Sequence, residues 1–222
     1  MKKLLTVALS LVLLLALGIG GLFVHGYWSA RSDAPLLAAR ANALAAAGRT
    51  AEALGPGRAR QLLAVEDPGF ATHDGIDLAS PGAGFTTLTQ GLAKKVGFSD
   101  FKPGWRKFRL MGYAAGLEQS LTKSQILTLF LDRVPLGRDR SGRWIEGYFT
   151  ASSRIYGKPP SALTERQFLT LVAVGLAPVR LRLAEPSPEL HERVTRIERL
   201  VHGRCRPAGL RDVELKGCAA KA

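Results

Sequence analysis

Residues 4–24 make an unbroken apolar run that carries no charge and only two hydroxyl-bearing interruptions, Thr6 and Ser10. Wound into a helix at 1.5 Å per residue, the run measures about 31 Å, close to the hydrocarbon thickness of a bilayer. Lys2 and Lys3 precede it, and Tyr27 and Trp28 follow. That order predicts a transmembrane signal anchor with a cytoplasmic start, an aromatic belt and a translocated body. A cleaved signal peptide is the competing reading. Its apolar region would be unusually long, and His25, Tyr27 and Trp28 stand where a small-x-small cleavage site belongs.

Beyond the run, apolar positions recur at three- and four-residue spacing, the period of an amphipathic helix. Residues 36–47 are rich in Ala and Leu and predict a short separate helix, with Pro35 in its first turn. Gly55-Pro56-Gly57 breaks it from the segment that leads to Glu66. After Pro103-Gly104, Leu110, Ala114, Leu117 and Leu121 trace one helical face. Thr122 with Gln125, and Thr164 with Gln167, form capping boxes ahead of two further apolar runs. Ser187-Pro188 opens a last helix with Leu190, Val194, Ile197 and Val201 on one face and Gly203 at its end. Residues 79–85 and the charged stretch 137–142 read as loops. No alternating stretch of useful length predicts a strand, and no internal repeat appears. The fold class is therefore all-α. Residues 1–28 are its cytoplasmic start and anchor, 29–58 a membrane-proximal helical linker, 59–203 the main domain and 204–222 a C-terminal tail.

Charge narrows the partners. The formal net charge is +13. In a cytosolic protein that excess points to nucleic acid, but the chain has no RNP-like aromatic pattern and no zinc-finger spacing. A membrane-tethered, exported body instead meets anionic lipid, where each basic residue near the surface is worth about 1 kcal/mol. Membrane phospholipids are thus expected partners and nucleic acid is not. Cys205 and Cys218, without a His cluster nearby, make a poor metal site. In an oxidising compartment they can instead close a short structural loop.

The densest candidate chemistry is residues 66–77, E-D-P-G-F-A-T-H-D-G-I-D. Glu66 follows an apolar run, so it is expected at the edge of a core. Partial burial there raises a carboxyl pKa toward the range useful for proton abstraction at neutral pH. Phe70 and Ile76 can anchor the loop, and Gly75 permits a turn that bulkier residues resist. A helix end capped by acids beside a structural His is the plainer reading of the same window.

The window resembles the first motif of the peptidoglycan glycosyltransferases, E-D-x-x-F-x-x-H-x-G-x-D, at Glu66, Asp67, Phe70, His73, Gly75 and Asp77. This is the lysozyme-like domain of monofunctional biosynthetic transglycosylases and bifunctional penicillin-binding proteins. Residues 84–90 resemble the second motif, G-x-S-T-x-x-Q-Q, with Thr86 for Ser and Gly91 for the second Gln. Read alone, they are an ordinary helix N-terminus. Lys94, Lys102, Arg106 and Lys107 fall where the family places diphosphate-binding cations, Lys102 standing for an Arg; a solvated basic face is the alternative. The third motif, R-K-x-x-E, ends here on Leu110, so the family's second active-site carboxylate is missing. Glu118 lies about 12 Å further along the helix and cannot substitute; it is expected in a buried structural pair. Gly147, Ala151, residues 155–158, Leu163, Glu165 and Ala177-Pro178 resemble the closing motifs. The interval between Asp77 and Gly84 is shorter than is usual in the family.

The resemblance implies a lysozyme-like transglycosylase domain behind an N-terminal transmembrane helix, single-pass in the bacterial inner membrane with the domain in the periplasm. Glu66 would be the general base. Asp67, His73, Thr86, Thr87 and Gln90 would contact substrate, and Lys94, Lys102, Arg106 and Lys107 would hold the pyrophosphate. Lipid II and the growing glycan chain are the implied substrates, and cell-wall synthesis proteins are further candidate partners. A divalent cation, Mg or Mn, is the cofactor the family can call for. No penicillin-binding domain is expected in a sequence of this length. Leu110 and Gly91 keep open a non-catalytic relative that binds lipid II or a synthesis partner. A lytic, lysozyme-like enzyme is a third alternative, opposed by the basic cluster, because a hydrolase of glycan has no pyrophosphate to neutralise.

Overall fold

The structure, a computed structural model, describes residues 2–82 and 84–219. Its helices are α1 (Lys2–Ala46), α2 (Arg58–Glu66), α3 (Leu88–Val96), α4 (Arg106–Ser120), α5 (Lys123–Arg133), α6 (Tyr148–Tyr156), α7 (Glu165–Gly175) and α8 (Pro188–Val201). Between α5 and α6 lie two short strands, β1 (Pro135–Arg138) and β2 (Trp144–Glu146).

The anchor and the linker helix expected separately are one element, because α1 runs through Pro35 without a break. A proline inside a helix removes a backbone hydrogen bond and costs about 3 kcal/mol. Packing offsets that cost. Ala30, Ala34, Leu37 and Ala41 recur at helical spacing and are almost wholly buried. Alongside them α1 and α4 touch backbone to backbone: Gly26 meets the carbonyl of Arg109, Gly112 that of Phe23 and Gly116 that of Tyr27, and a β-carbon at any of the three would overlap those atoms. Tyr113 Oη donates to Asp33 at 2.6 Å. Arg40 and Arg49 reach Asp132 of α5 at 2.8 and 3.3 Å. Residues 29–46 therefore belong to the folded body and are no linker. The leucines and valines from Leu4 to Leu17, by contrast, are 51–77% exposed. The most apolar window of α1 has a mean hydropathy of 2.7, and none of it is buried in the protein. An apolar surface of that length fits a bilayer.

The core centres on α7, where Phe168, Leu169, Leu171, Val172, Ala173 and Val174 are all fully buried. A helix apolar all round is one surrounded by protein, and α2, α6 and α8 pack around it. Both capping boxes form as the sequence predicts: the side chains of Thr122 and Thr164 accept from the backbone of Gln125 and Gln167, and each Gln side chain returns the bond. Ser187 caps α8 in the same way, accepting from Leu190 N at 3.2 Å.

The mostly helical fold is the one the sequence predicts, and a short hairpin stands between α5 and α6. Pro135 pairs with Glu146 and Arg138 with Trp144, antiparallel. The strands are too short to show alternation, but Leu136 and Ile145 are fully buried and hold them to the core. The stretch read as a charged loop is the turn between them, where Asp139 accepts hydrogen bonds from the Ser141 and Arg143 amides. After α8 the chain folds back over the domain, and a disulfide joins Cys205 to Cys218.

Candidate active site

Glu66 ends α2, whose Leu62 and Val65 are buried and fix the helix to the core. Its carboxylate lines a cleft of about 380 Å³. The rim is formed by Gly84, Phe85, Thr86 and Thr87 before α3, by Lys94 and Lys95 on α3, and by Phe130 and Arg133 on α5. Gly175, Arg193 and Val213 complete the wall near Glu66. Among the described lining residues Glu66 is the one carboxylate. Removal from water pushes its pKa up to about 7; the Arg193 guanidinium opposes that rise and the neighbouring charge of Asp67 adds to it.

Arg193 was not foreseen. It is 2% exposed, with Nε donating to Ala173 O at 3.0 Å and Nη1 to Val213 O at 2.9 Å. Burial lowers its pKa, while the charges of Glu66 and Glu214 favour the cation. The available signal was its register: on α8 it falls among the apolar-face positions Leu190, Val194 and Ile197, where an arginine is costly unless it has a task. Tyr148 was also missed. It is fully buried, and its hydroxyl has no hydrogen-bond partner among the described residues. Burial, and then the charge of Glu66, raise its pKa.

The first motif builds a strut. Asp67 is completely buried. Its two oxygens each lie 2.9 Å from His73 Nε2, and Oδ2 also accepts from Leu88 N at 2.8 Å. His73 Nδ1 accepts from Gly75 N at 3.0 Å, so the ring proton sits on Nε2 and points at Asp67. Gly75 takes φ +87°, open to glycine and strained for other residues. Its carbonyl accepts from Thr87 Oγ1 at 2.9 Å and Gln90 Nε2 at 3.1 Å. Of the expected substrate contacts, Thr86 and Thr87 line the cleft. Asp67, His73 and Gln90 do not; they lock the loop between α2 and α3 behind it. Glu118 has its structural partner in Lys123 at 2.8 Å, and it accepts from Thr89 Oγ1 at 2.5 Å.

The expected cations divide. Lys94 lines the cleft, and burial followed by repulsion from Lys107 lowers its pKa. Lys107 Nζ lies 6.0 Å from the centroid of Phe85 on the rim. Lys102 stands apart, highly exposed and 3.5 Å from Asp100, and Arg106 donates to Asp100 O at 2.8 Å. Lys95 and Arg133 reach the cleft unforeseen, each within 4 Å of Glu146. Leu110 is 1% exposed and part of the core.

A divalent cation does not fit these residues. Asp67, His73 and Asp77 are the one described cluster with ligand atoms within 4.8 Å of one another. There, Asp67 is already bonded to His73 and Leu88, and both nitrogens of His73 are engaged. Among the described residues that line the cleft, Glu66 has no second carboxylate beside it, and hard divalent ions need several oxygen ligands.

The mostly helical body with its Glu66 cleft agrees with a lysozyme-like domain, the class to which the matching family's domain belongs. Residues 49–202 match the family described as Transglycosylase, and the chain belongs to that family. It is similar to penicillin-binding protein 1B of Buchnera aphidicola subsp. Acyrthosiphon pisum (strain APS), 34% identical over 128 residues, which are 52% of this chain and 17% of that protein. It is also similar to the biosynthetic peptidoglycan transglycosylase of Pectobacterium carotovorum subsp. carotovorum (strain PC1), 31% identical over 155 residues, 64% of this chain and 62% of the relative. The enzyme of that name from Yersinia pestis (strain Pestoides F) is 30% identical over 162 residues, 67% and 65% of the two chains. The chain spans less than two thirds of the length of each of these relatives.

Proposed function

We propose that the protein is a peptidoglycan glycosyltransferase that polymerises glycan strands from lipid II. The observation that carries this reading is Glu66: the one carboxylate among the described residues of the cleft, with a pKa of about 7, opposite cations that have no role in glycan hydrolysis. Glu66 removes the proton from the acceptor sugar's 4-hydroxyl as that oxygen attacks the donor's anomeric carbon. The carbon–oxygen bond to the lipid pyrophosphate breaks and the centre inverts. The leaving group departs as a stable anion, so one base suffices, and Lys94 and Lys107 offset the charge that builds on it.

The setting follows from the same reading. The apolar start of α1 crosses the inner membrane once, Lys2 and Lys3 mark its cytoplasmic end, and the cleft works on the periplasmic side. Incubating the full-length protein in detergent or lipid with labelled lipid II tests the activity. Glycan strands that lengthen with time, and that Glu66→Gln abolishes, are expected. Lipid II that binds wild type and stays monomeric would make this a non-catalytic binder instead.

A further inference from the structure

The segment after α8 lies beyond the residues that match the family, yet it forms part of the cleft. It packs against the short connection that precedes α3. Gly82 N donates to Gly209 O at 2.9 Å and Gly84 N to Leu210 O at 2.8 Å. A side chain at Gly82 would run into Pro207, and one at Gly84 into Val213. The C-terminal segment thus stands directly beside the connection that leads into α3. Val213 is itself a lining residue, and its carbonyl holds Arg193. Three backbone amides, those of Ala208, Lys216 and Gly217, converge on the Asp212 carboxylate, and the Cys205–Cys218 disulfide closes the loop around it.

This loop also brings a cation. The Arg211 guanidinium lies 5.3 Å from the centroid of Phe85, the ring that Lys107 Nζ approaches at 6.0 Å. Lys94, inside the cleft, is repelled by Lys107. Among the described residues none of these three cations forms an ion pair. Like charges gathered without a counter-charge at the mouth of a cleft favour an anionic ligand.

We propose that the disulfide-closed segment 204–219 is a working wall of the active-site cleft, which holds the rim at Gly82 and at Gly84 in place and supplies Arg211 to the anionic group of the substrate. The identity of that group as a lipid pyrophosphate rests on the function proposed above. The wall makes the rim depend on an intact disulfide.

The test uses the full-length protein in detergent micelles, with undecaprenyl pyrophosphate as the binding probe and amide hydrogen exchange as a second readout. Arg211→Ala should weaken binding about tenfold, as expected for loss of one charge-assisted contact, and Arg211→Lys should recover much of it. The exposed Arg206→Ala, the same charge change in the same loop, should bind like wild type. The Cys205→Ser/Cys218→Ser variant should bind more weakly and exchange faster at the Gly82 and Gly84 amides while α7 remains protected. If Lys94→Ala weakens binding but Arg211→Ala does not, or if Arg206→Ala matches Arg211→Ala, the role of Arg211 is overturned. Unchanged exchange at Gly82 and Gly84 in the double variant overturns the wall. If wild type does not bind the probe and Lys94→Ala changes nothing, the pyrophosphate reading fails, and exchange alone then decides for or against the wall.

Discussion

A β-carbon built on Gly175 would stand 3.1 Å from Glu66 Oε1. The end of α7 is thus shaped around the carboxylate from α2, and the absence of a side chain at one position fixes where the base can sit at the other. Gly175→Ala should displace Glu66 by a few tenths of an ångström. Small misplacements of a reacting group cost up to about 10²-fold, so the polymerisation rate should fall roughly ten- to a hundredfold. Alanine is the better helix former by about 1 kcal/mol. The melting temperature should therefore hold or rise, and a parallel loss of stability and rate would contradict the account.

Glu66→Gln keeps the shape of the side chain and removes the base, with an expected loss of about 10²- to 10⁴-fold. In wild type the base works when ionised, so the rate should climb as pH rises through about 7 and level off above it. Stability should run the other way. The folded state holds this proton more tightly than the unfolded chain, so ionising Glu66 disfavours folding as pH rises from the ordinary carboxylate range to about 7. Chemical denaturation of wild type and Glu66→Gln across that window should show the variant gaining on wild type, by on the order of 1 kcal/mol after allowance for water in the cleft.

Arg193 opposes the rise in the Glu66 pKa. Arg193→Gln should move the rate midpoint to higher pH, while Arg193→Lys should leave it nearer to wild type. The loss of bonds to Ala173 O and Val213 O will also lower stability, so the midpoint, read on folded protein, is the decisive quantity. An unshifted profile would make Arg193 a purely structural residue.

A carboxylate placed at position 110, where the resemblance to the third motif expects one, should not raise turnover. Leu110 sits in the core, and an unpaired carboxylate there costs several kcal/mol or binds a proton instead. Leu110→Glu is expected to lower the melting temperature by many degrees without raising turnover. A folded, faster variant would show that the site can accept a second acid.

Removing residues 2–18 should release the protein from membranes and leave the domain folded, because residues 3–18 are all exposed and Ile19 is the first half-buried one. Removing 2–46 should unfold it, since Ala30, Ala34 and Ala41 and the Asp33 partner of Tyr113 go with the segment. Circular dichroism of the two truncations separates an anchor from a structural helix.

The helices α4, α5, α7 and α8 were legible because their caps and apolar stripes are local signals, whereas α6, which has no side-chain cap, was not; Glu66 was legible because its motif is dense. What the sequence hid depended on partners far along the chain. Pro35 reads as a helix start until Ala34 and Leu37 are seen buried. Leu136 and Ile145 form too short a pair to alternate. Asp67, His73 and Gln90 have the chemistry of substrate ligands, and only their partners, Leu88 N and Gly75 O among them, show them fastened to one another. Arg193 acts on Glu66, and Val213 lines the same cleft, from more than a hundred residues away, where no spacing rule could connect them. Lys102 and Arg106 stood in the expected places in the chain, but their side chains turn to Asp100.

One helix carries the chain from Lys2 to Ala46 and is clasped by α4 and α5 along its second half. A domain on a slack tether sweeps out a hemisphere above its membrane and meets a lipid-borne partner at any angle. This one is mounted like a lamp on a stiff post. With the anchoring proposed above, the cleft keeps a set height over the bilayer, and the proposed search for a lipid-borne partner becomes a drift in two dimensions, with the geometry of encounter decided before the encounter occurs.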